Sequence, residues 1–545
     1  MRDAVQEAVA AGELAVAVPD TVAVERPRAK GHGDYATSLA LQLARQAGRP
    51  PREVAETIAT RLRSLAGLDE VEVAGPGFLN LTLAQGSLGR VAATVLAAGA
   101  DYGRGSVLAG RSIDVEFISA NPTGPLHLGH TRWAAVGDAM ARVLSAAGAS
   151  VAREFYINDR GVQMDAFGAS LVARALGRDV PENGYHGAYI ADLAKEIVAE
   201  VDGILDLPET ERLVAFREQG YARQLAEQQR VLERFRTHFD VWTSERALHA
   251  SGAVERAFVR LREQGHVFES DGAVWLRTTD FGDDKDRVLV KSGGELTYFA
   301  SDTAYYVDKR LRGFDVCVYL LGADHHGYVG RLKAIAACAG DDPHENIEVP
   351  IGQLVKILRD GAEVKLSKRA GEIVSLEEFV DMAGVDAARY ALCRHPSDSP
   401  LTLDIEQITR QSSENPVFYV QYAATRAASI LRHAAELGIA EPPADAVDLG
   451  LLSTPYESDL LKALAEFPEV VATAAQLREP HRVARYLEEK VAKAAQRFWD
   501  ECPVLPKGDE PAAETTLPRL VLWRATRTVL ENGLGLLGVS APERM

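Results

Sequence analysis

The spacing of apolar positions divides the chain into segments of two periods. Residues 35–48, "YATSLALQLARQAG", and 51–67, "PREVAETIATRLRSLAG", repeat apolar side chains at helical intervals, while "VEVAGPGFLNLTL" at 71–83 is strand-like. Together they describe a small mixed domain over residues 1–105, closed by the glycine-rich linker "DYGRGSVLAGRS". The short apolar run "SIDVEFI" (112–118) then predicts a buried strand. After a proline- and glycine-containing turn, Trp133, Val136, Met140, Val143, Leu144 and Ala147 recur at helical spacing, with Gly148 placed for a C-terminal cap. "VAREFYI" predicts the next strand. Strand, turn, helix, strand is one βαβ unit of a doubly wound sheet, a fold that binds ligands at the carboxyl ends of its strands.

From about 164 to 285 the pattern is charged and mostly helical, which predicts an insertion into the sheet domain. Strand signals return in "DRVLVKSGGELTYFAS", "FDVCVYLLGAD" and "VPIGQLVKIL", and from about 385 the chain reads as amphipathic helix throughout. The expected architecture is α/β: a doubly wound, Rossmann-like parallel-sheet domain over 106–384 with its helical insertion, an N-terminal α+β domain over 1–105, and an all-α domain over 385–545.

Composition changes this picture little. A length of 545 residues suits about three domains, and 47% hydrophobic with 25% charged residues is ordinary for a soluble globular protein. The net charge of −18 argues against indiscriminate coating of nucleic acid, though not against a local basic face. Cys317, Cys338, Cys393 and Cys502 are far apart and form no CxxC pair, which argues against a structural zinc site or a disulfide framework. Without a long apolar run or a signal-peptide core, the expectation is a cytoplasmic protein with no membrane contact.

Three stretches could carry chemistry. In "NPTGPLHLGH" (121–130), His127 and His130 stand at a helix N-terminus, where free N–H groups and the helix dipole favour an anion. Both rings can donate to phosphate oxygens, and Gly129 lets a flat ring approach the backbone closely. The competing reading is a turn whose histidines merely cap the helix. In "EVKLSKRAGEIVSL", Lys365, Ser367, Lys368 and Arg369 form a cationic loop that could neutralise a leaving pyrophosphate, or could simply be solvated. In "GADHHG" (322–327), Gly322 and Asp324 fall at a strand's carboxyl end, where an acid can hold ribose hydroxyls. Metal ligation by Asp324, His325 and His326 is the weaker alternative, because consecutive side chains do not converge on one ion.

An HxGH turn opening a nucleotide-binding sheet, followed by KxSKR after its last strand, resembles the paired motifs of class I aminoacyl-tRNA synthetases. The resemblance extends through "VEFISANPTGPLHLGHTR", "YINDRGVQ", "GDDKDRVLVKSGGELTYFASDTAYY", "GADHHGY", "KLSKRAG", "NPVFYVQYAATR" and "LLGVSAPERM". These blocks, with "HGDYATSLALQLA" and "GPGFLNL" near the N-terminus, are similar to the arginyl-tRNA synthetases of bacterial type over essentially the whole chain.

The resemblance implies ATP and L-arginine as substrates, Mg²⁺ as the companion ion, tRNA(Arg) as the macromolecular partner, and a monomer. It implies arginyl-adenylate formation followed by transfer to the terminal adenosine, with a first step that itself requires bound tRNA. It places ATP at Pro122, Gly124, His127, Gly129, His130, Gly322, Asp324, Lys365, Ser367 and Lys368, with His127, His130, Lys365 and Lys368 catalytic. It places arginine at Glu116, Ser119, Asn121, Tyr298 and Asp302. Carboxylates are the natural partners of a planar, permanently charged guanidinium, so Glu116 and Asp302 carry that assignment. The other reading leaves Glu116 satisfied by a nearby Lys or Arg, and Tyr298 packed in a core. Leu366 and Arg369 depart from the general class pattern, while the first lysine of the loop, often absent in this family, is present as Lys365.

In the C-terminal region the resemblance implies an anticodon-binding domain. Tyr419, Gln421 and Tyr422 are candidates for unpaired bases. On one helix, about 481–500, Arg482, Arg485, Lys490, Lys493 and Arg497 share an arc of about 140° at α-helical geometry. That stripe suits an RNA backbone, or a solvated face partnered by Glu488 and Glu489. The N-terminal domain resembles the family's additional module for the tRNA elbow.

Overall fold

The computed structural model of the chain describes residues 1–27, 31–65, 67–363, 374–508 and 510–545. Lys365, Ser367, Lys368 and Arg369 lie outside the described residues.

The N-terminal part is a three-stranded antiparallel sheet in the order Tyr35–Thr37, Phe78–Leu83, Leu68–Ala74, with helices Arg2–Ala10, Leu39–Ala47 and Pro51–Leu62 packed on it. Two details differ from the sequence reading. Residues 35–37 are strand, not the start of the helix, because Ser38 begins the helical turn. The run at 71–83 is two strands joined at a turn where Gly75 and Gly77 have positive φ of 50° and 140°. At Gly77 a Cβ would lie 2.8 Å from the backbone of Pro51, so glycine lets the hairpin sit against that helix.

The central sheet has five strands: β1 (Ser112–Glu116), β2 (Ser150–Ile157), β3 (Val241–Ser244), β4 (Val316–Tyr319) and β5 (Ile347–Glu348). All pair in parallel, in the order 3-2-1-4-5. This is the doubly wound arrangement, and its switch point lies between β1 and β4, where Glu116 and Tyr319 are register partners at the carboxyl ends. Helix α1 (Leu128–Ala146) follows β1 and is buried on nearly every side, since the sheet covers one face and C-terminal helices the other.

The segment from 164 to 285 is not one helical insertion. Its helices include α2 (Glu209–Arg234), but Val241–Ser244 is the edge strand of the central sheet, and 267–290 form a separate three-stranded antiparallel sheet. Four-residue strands among charged helices are too short to show a period. Helix α3 (Tyr298–Leu311) then returns the chain to β4.

Beyond 385 the regular elements among the described residues are helices apart from Leu401–Asp404, which pairs in parallel with Val355–Arg359. Long helices α4 (Pro416–Glu436) and α5 (Thr516–Leu536) dominate the remainder. One hydrophobic core runs from Val115 and Leu144 in the sheet domain to Leu431 and the wholly buried Trp523 in the helical one.

Candidate functional site

The two histidines are held by the backbone that carries them. His127 is the N-cap of α1, and its Nδ1 accepts the Gly129 N–H at 3.1 Å, while His130 Nδ1 accepts the His127 N–H at 3.3 Å. The rings lie against each other, 3.9 Å between centroids. The capping reading and the phosphate reading are therefore compatible. A neutral imidazole that accepts at Nδ1 carries its proton on Nε2, so capping defines which nitrogen donates. The flat ring near Gly129 is that of His127 itself: a Cβ there would lie 2.8 Å from its Cε1. Glycine at 129 makes room for the cap, and its backbone is exposed.

The turn before the histidines is braced from the helical segment. Gln228 of α2 donates to the carbonyls of Asn121 (3.0 Å) and Gly124 (2.8 Å), and Tyr189 donates to the Thr123 carbonyl at 2.9 Å. Pro122 is buried beneath, and a Cβ on Gly124 would meet the Tyr189 hydroxyl at 2.9 Å. On the other side, Leu128 N–H donates to Val374 O at 3.1 Å and Leu376 N–H to Leu126 O at 2.7 Å, with His127 and Ser375 bridged between them. The chain leaving the lysine-bearing stretch is thus stitched to the histidine turn.

At the carboxyl end of β1 the backbone turns through Ile118 and Ser119, both left-handed (φ 71° and 45°), a conformation unfavourable for a β-branched residue. The turn brings Ser119 back so that its Oγ donates to Glu116 Oε1 (2.9 Å) and accepts the Tyr156 N–H (3.2 Å). Glu116 Oε2 accepts from Lys309 Nζ at 2.7 Å. The reading of Glu116 as satisfied by a lysine is therefore realised, and Lys309 was missed because nothing in "DTAYYVDKR" marks it apart from ordinary surface lysines.

Asp302 sits on α3 with the Tyr328 hydroxyl donating to its Oδ2. Burial, reinforced by the charges of Glu116 and Glu245, pushes its carboxyl up to about 6, against the pull of Tyr328. Glu245 is itself raised by burial and by Asp159, with Arg160 opposing. Four carboxylates, Glu116, Asp159, Glu245 and Asp302, therefore surround Tyr156, whose hydroxyl is driven far above its ordinary range by burial and their charges. Asp159 is already occupied by Tyr221, Ser244 and the Arg246 N–H. Tyr298 is 71% exposed at the start of α3, so core packing is not its role. The Asn121 amide is hydrogen-bonded to Gln163. Tyr156, Tyr328 and Glu245 had no spacing signal, although Tyr328 closes the "GADHHGY" block.

Gly322 ends a short strand that pairs with Ile351–Gly352, and residues 323–328 form a 3₁₀ turn. Asp324 folds back so that its Oδ1 would lie 2.6 Å from a Cβ on Gly322, and its Oδ2 is 3.4 Å from His325 Nε2. Among the described residues no group of three or more His, Cys, Asp or Glu side chains could hold a metal ion, and no helix is long and apolar enough to cross a membrane.

The helical region separates its candidates. Gln421 is 7% exposed and donates to Asp386 Oδ2 (2.9 Å) and the Ser540 carbonyl (2.8 Å), which corrects its expected role as a base contact. Tyr419 is half-buried against the core. Tyr422 is exposed, stacked on Phe418, with the Arg426 guanidinium 4.7 Å above its ring and 5.2 Å from that of exposed Trp499. Arg482 and Arg485 are exposed, Arg482 paired with Glu479. The helix they head contains a π turn at Leu487–Ala492, so the arc derived from α-helical spacing does not continue through it. Glu488, the partner of the basic residues in the alternative reading of a solvated face, forms a bidentate pair with Arg394 at 2.7 and 2.8 Å.

Comparison with known proteins follows the same division. Residues 1–83 match the family described as arginyl tRNA synthetase N terminal domain, 93–407 the class I (R) tRNA synthetase catalytic domain, and 420–545 the DALR anticodon binding domain. The chain is similar to an arginine–tRNA ligase of Frankia alni (58% identity over 99% of this chain and 98% of the relative) and to one of Kineococcus radiotolerans (54%, over 100% and 98%). Among solved structures it resembles an arginyl-tRNA synthetase structure from Campylobacter jejuni, with 30% identity, TM-score 0.77, and coverage of 85% of this chain and all of that one. The arginyl-tRNA synthetase of Thermus thermophilus shares the fold, with 23% identity, TM-score 0.72, and coverage of 100% and 99%.

Proposed function

The chain belongs to the arginyl-tRNA synthetases, ligases that activate L-arginine with ATP and transfer it to the 3′-terminal adenosine of tRNA, releasing AMP and diphosphate; from that premise we propose which of its residues perform each step. ATP lies across the N-terminus of α1, with the Nε2–H groups of His127 and His130 directed at its phosphates. Pro122, Gly124 and Gly129 shape the turn, and Gly322 with Asp324 receives the ribose. Lys368, supported by Lys365 and Ser367, closes over the β- and γ-phosphates. Mg²⁺ bound with the nucleotide would supply charge neutralisation to the phosphates.

Arginine enters with its guanidinium toward Asp302 and Glu116, positioned by Tyr298, Asn121 and Ser119. Its carboxylate attacks the α-phosphorus in line, and diphosphate leaves with its new charge stabilised by the histidines and lysines. The 2′-hydroxyl of the terminal adenosine then attacks the adenylate carbonyl and AMP departs. No side chain forms a covalent intermediate.

We further assign residues 1–105 to the tRNA elbow, 106–384 to chemistry and 385–545 to the anticodon, where Tyr422, Tyr419, Arg482 and Arg485 meet RNA. The protein works as a cytoplasmic monomer on tRNA(Arg).

The observation that supports this reading most is the backbone pairing of 126–128 with 374–376. The lysine-bearing stretch directly precedes that seam in the sequence, which supports giving Lys368 and Lys365 the phosphate role. Arginylation of tRNA(Arg) by the purified protein tests the roles: K368A should lower the rate sharply with tRNA affinity retained. Arginine-dependent pyrophosphate exchange should be weak until tRNA is added; robust exchange without tRNA would contradict it.

A further inference from the structure

Lys309 is a wholly buried lysine placed directly behind the substrate carboxylates. It projects from α3 to the end of the sheet, where its Nζ lies 2.7 Å from Glu116 Oε2 and 2.7 Å from Asp114 Oδ2, both on β1. The first contact is a directed hydrogen bond; the second is an ion pair in which neither Asp114 oxygen accepts a well-aligned hydrogen. The remaining faces of the ammonium are covered by the rings of Tyr305 and Tyr319, at 4.3 and 4.2 Å.

Burial alone would strip this lysine of its proton, but Asp114 and Glu116 hold its pKa well above the ordinary value. It therefore stays charged, and its charge acts on groups facing it from every packed element: Asp114 and Glu116 of β1, Glu154 of β2, Cys317 and Tyr319 of β4, and Tyr305 of its own helix.

We propose that Lys309 is a positioning residue for arginine recognition: by fixing Oε2 of Glu116 while Ser119 fixes Oε1, it locks the orientation of the carboxylate that meets the substrate. The inference rests on the reading of Glu116 as an arginine contact. A carboxylate free to rotate would present a guanidinium with a mixture of acceptor geometries. With Oε2 held on a resident cation and Oε1 on Ser119, the acid meets the planar fork in one orientation.

Removing Lys309 alone leaves two buried carboxylates without their cation, a change that threatens the fold, so the test uses D114N/K309M, which removes one charge of each sign. The expected result is a rise of about 10- to 100-fold in the KM for arginine, the size of one lost charge-assisted contact, with the KM for ATP within about threefold. D114N alone, which leaves Lys309 on Glu116, should keep the wild-type arginine KM. Equal rises in both KM values, or the full effect in D114N alone, would show a structural role and overturn the proposal.

E116Q separates the two layers. A raised arginine KM in E116Q with a normal one in D114N/K309M defeats the positioning role only, whereas a normal KM in E116Q defeats the underlying contact as well. A structure of the arginine-bound enzyme gives a check independent of variants: Glu116 Oε2 should still lie on Lys309, and a carboxylate swung away from it would end the argument.

Discussion

The histidine turn and the basic helix near the C-terminus were both inferred from helical spacing, and they fared differently. At His127 and His130 the spacing of three places two rings over one helix start, and hydrogen bonds to their own backbone, within two or three residues, fix that spacing. Gln228, Tyr189 and Ser375 brace the turn from elsewhere without changing its period. On the helix from 481 to 501 the same arithmetic runs into a π turn at Leu487–Ala492, where Glu488 is held by Arg394 and Leu487 is pressed against Gly533 of α5. A periodicity survives when its residues answer to one another, and fails when partners across the fold set the register.

That contrast can be broken most decisively at the histidines. H130A removes a donor directed at developing phosphate charge, and arginylation should fall by about 10²- to 10³-fold with tRNA binding nearly unchanged. Turnover near wild type would reduce the turn to a helix cap. At the arginine end, D302N should raise the arginine KM by about 100-fold, on the scale of truncating a buried charge pair. The carboxyl of Asp302 is raised to about 6 in the unliganded site. Protonation below that pH removes its attraction for guanidinium, so kcat/KM for arginine should decline as pH falls through about 6, and D302N should flatten this limb. A pH profile identical in both proteins would exclude Asp302 as its source.

Effects in the helical domain are expected to be smaller and to divide by burial. Y422A loses an exposed ring that stacks with Phe418 and Arg426, and kcat/KM for tRNA should drop by about tenfold, the order of one stacked base. Q421A should leave tRNA kinetics within about twofold while lowering thermal stability, because the amide ties Asp386 to the Ser540 carbonyl in the interior. A stable Q421A protein with impaired tRNA use would return Gln421 to the RNA face. R485A should weaken tRNA binding by a few-fold and reduce its salt dependence by about one ion, measured as binding against salt concentration.

The frame of the candidate site was legible locally: His127 and His130 stand at a helix start whose flanking pattern is strong, whereas Glu116, Asn121 and Asp302 were named by the family resemblance. Glu116 and Asp302, far apart in sequence, lie close enough for the charge of one to act on the other, because α3 packs beside β1. What escaped was the set of residues defined only by neighbours. Lys309 reads as any charged residue on an amphipathic helix, yet it is wholly enclosed. Tyr156 and Glu245 take their meaning from carboxylates brought in by other elements. Val241–Ser244 was lost among helices because four residues cannot display a period, though pairing with β2 makes them the edge of the central sheet.

From its sequence alone this protein determined the local frame: which segments are helix or strand, the turn that ends in paired imidazoles, and the family to which its motifs belong. These follow from short-range forces, namely side-chain spacing, capping and backbone preference. The tertiary structure alone decided which charges face each other without water. It enclosed Lys309 between two acids and two aromatic rings, turned Gln421 inward, and interrupted the basic helix. Electrostatic partnership in a dry interior depends on distances between elements, and those are set only when the whole chain has packed.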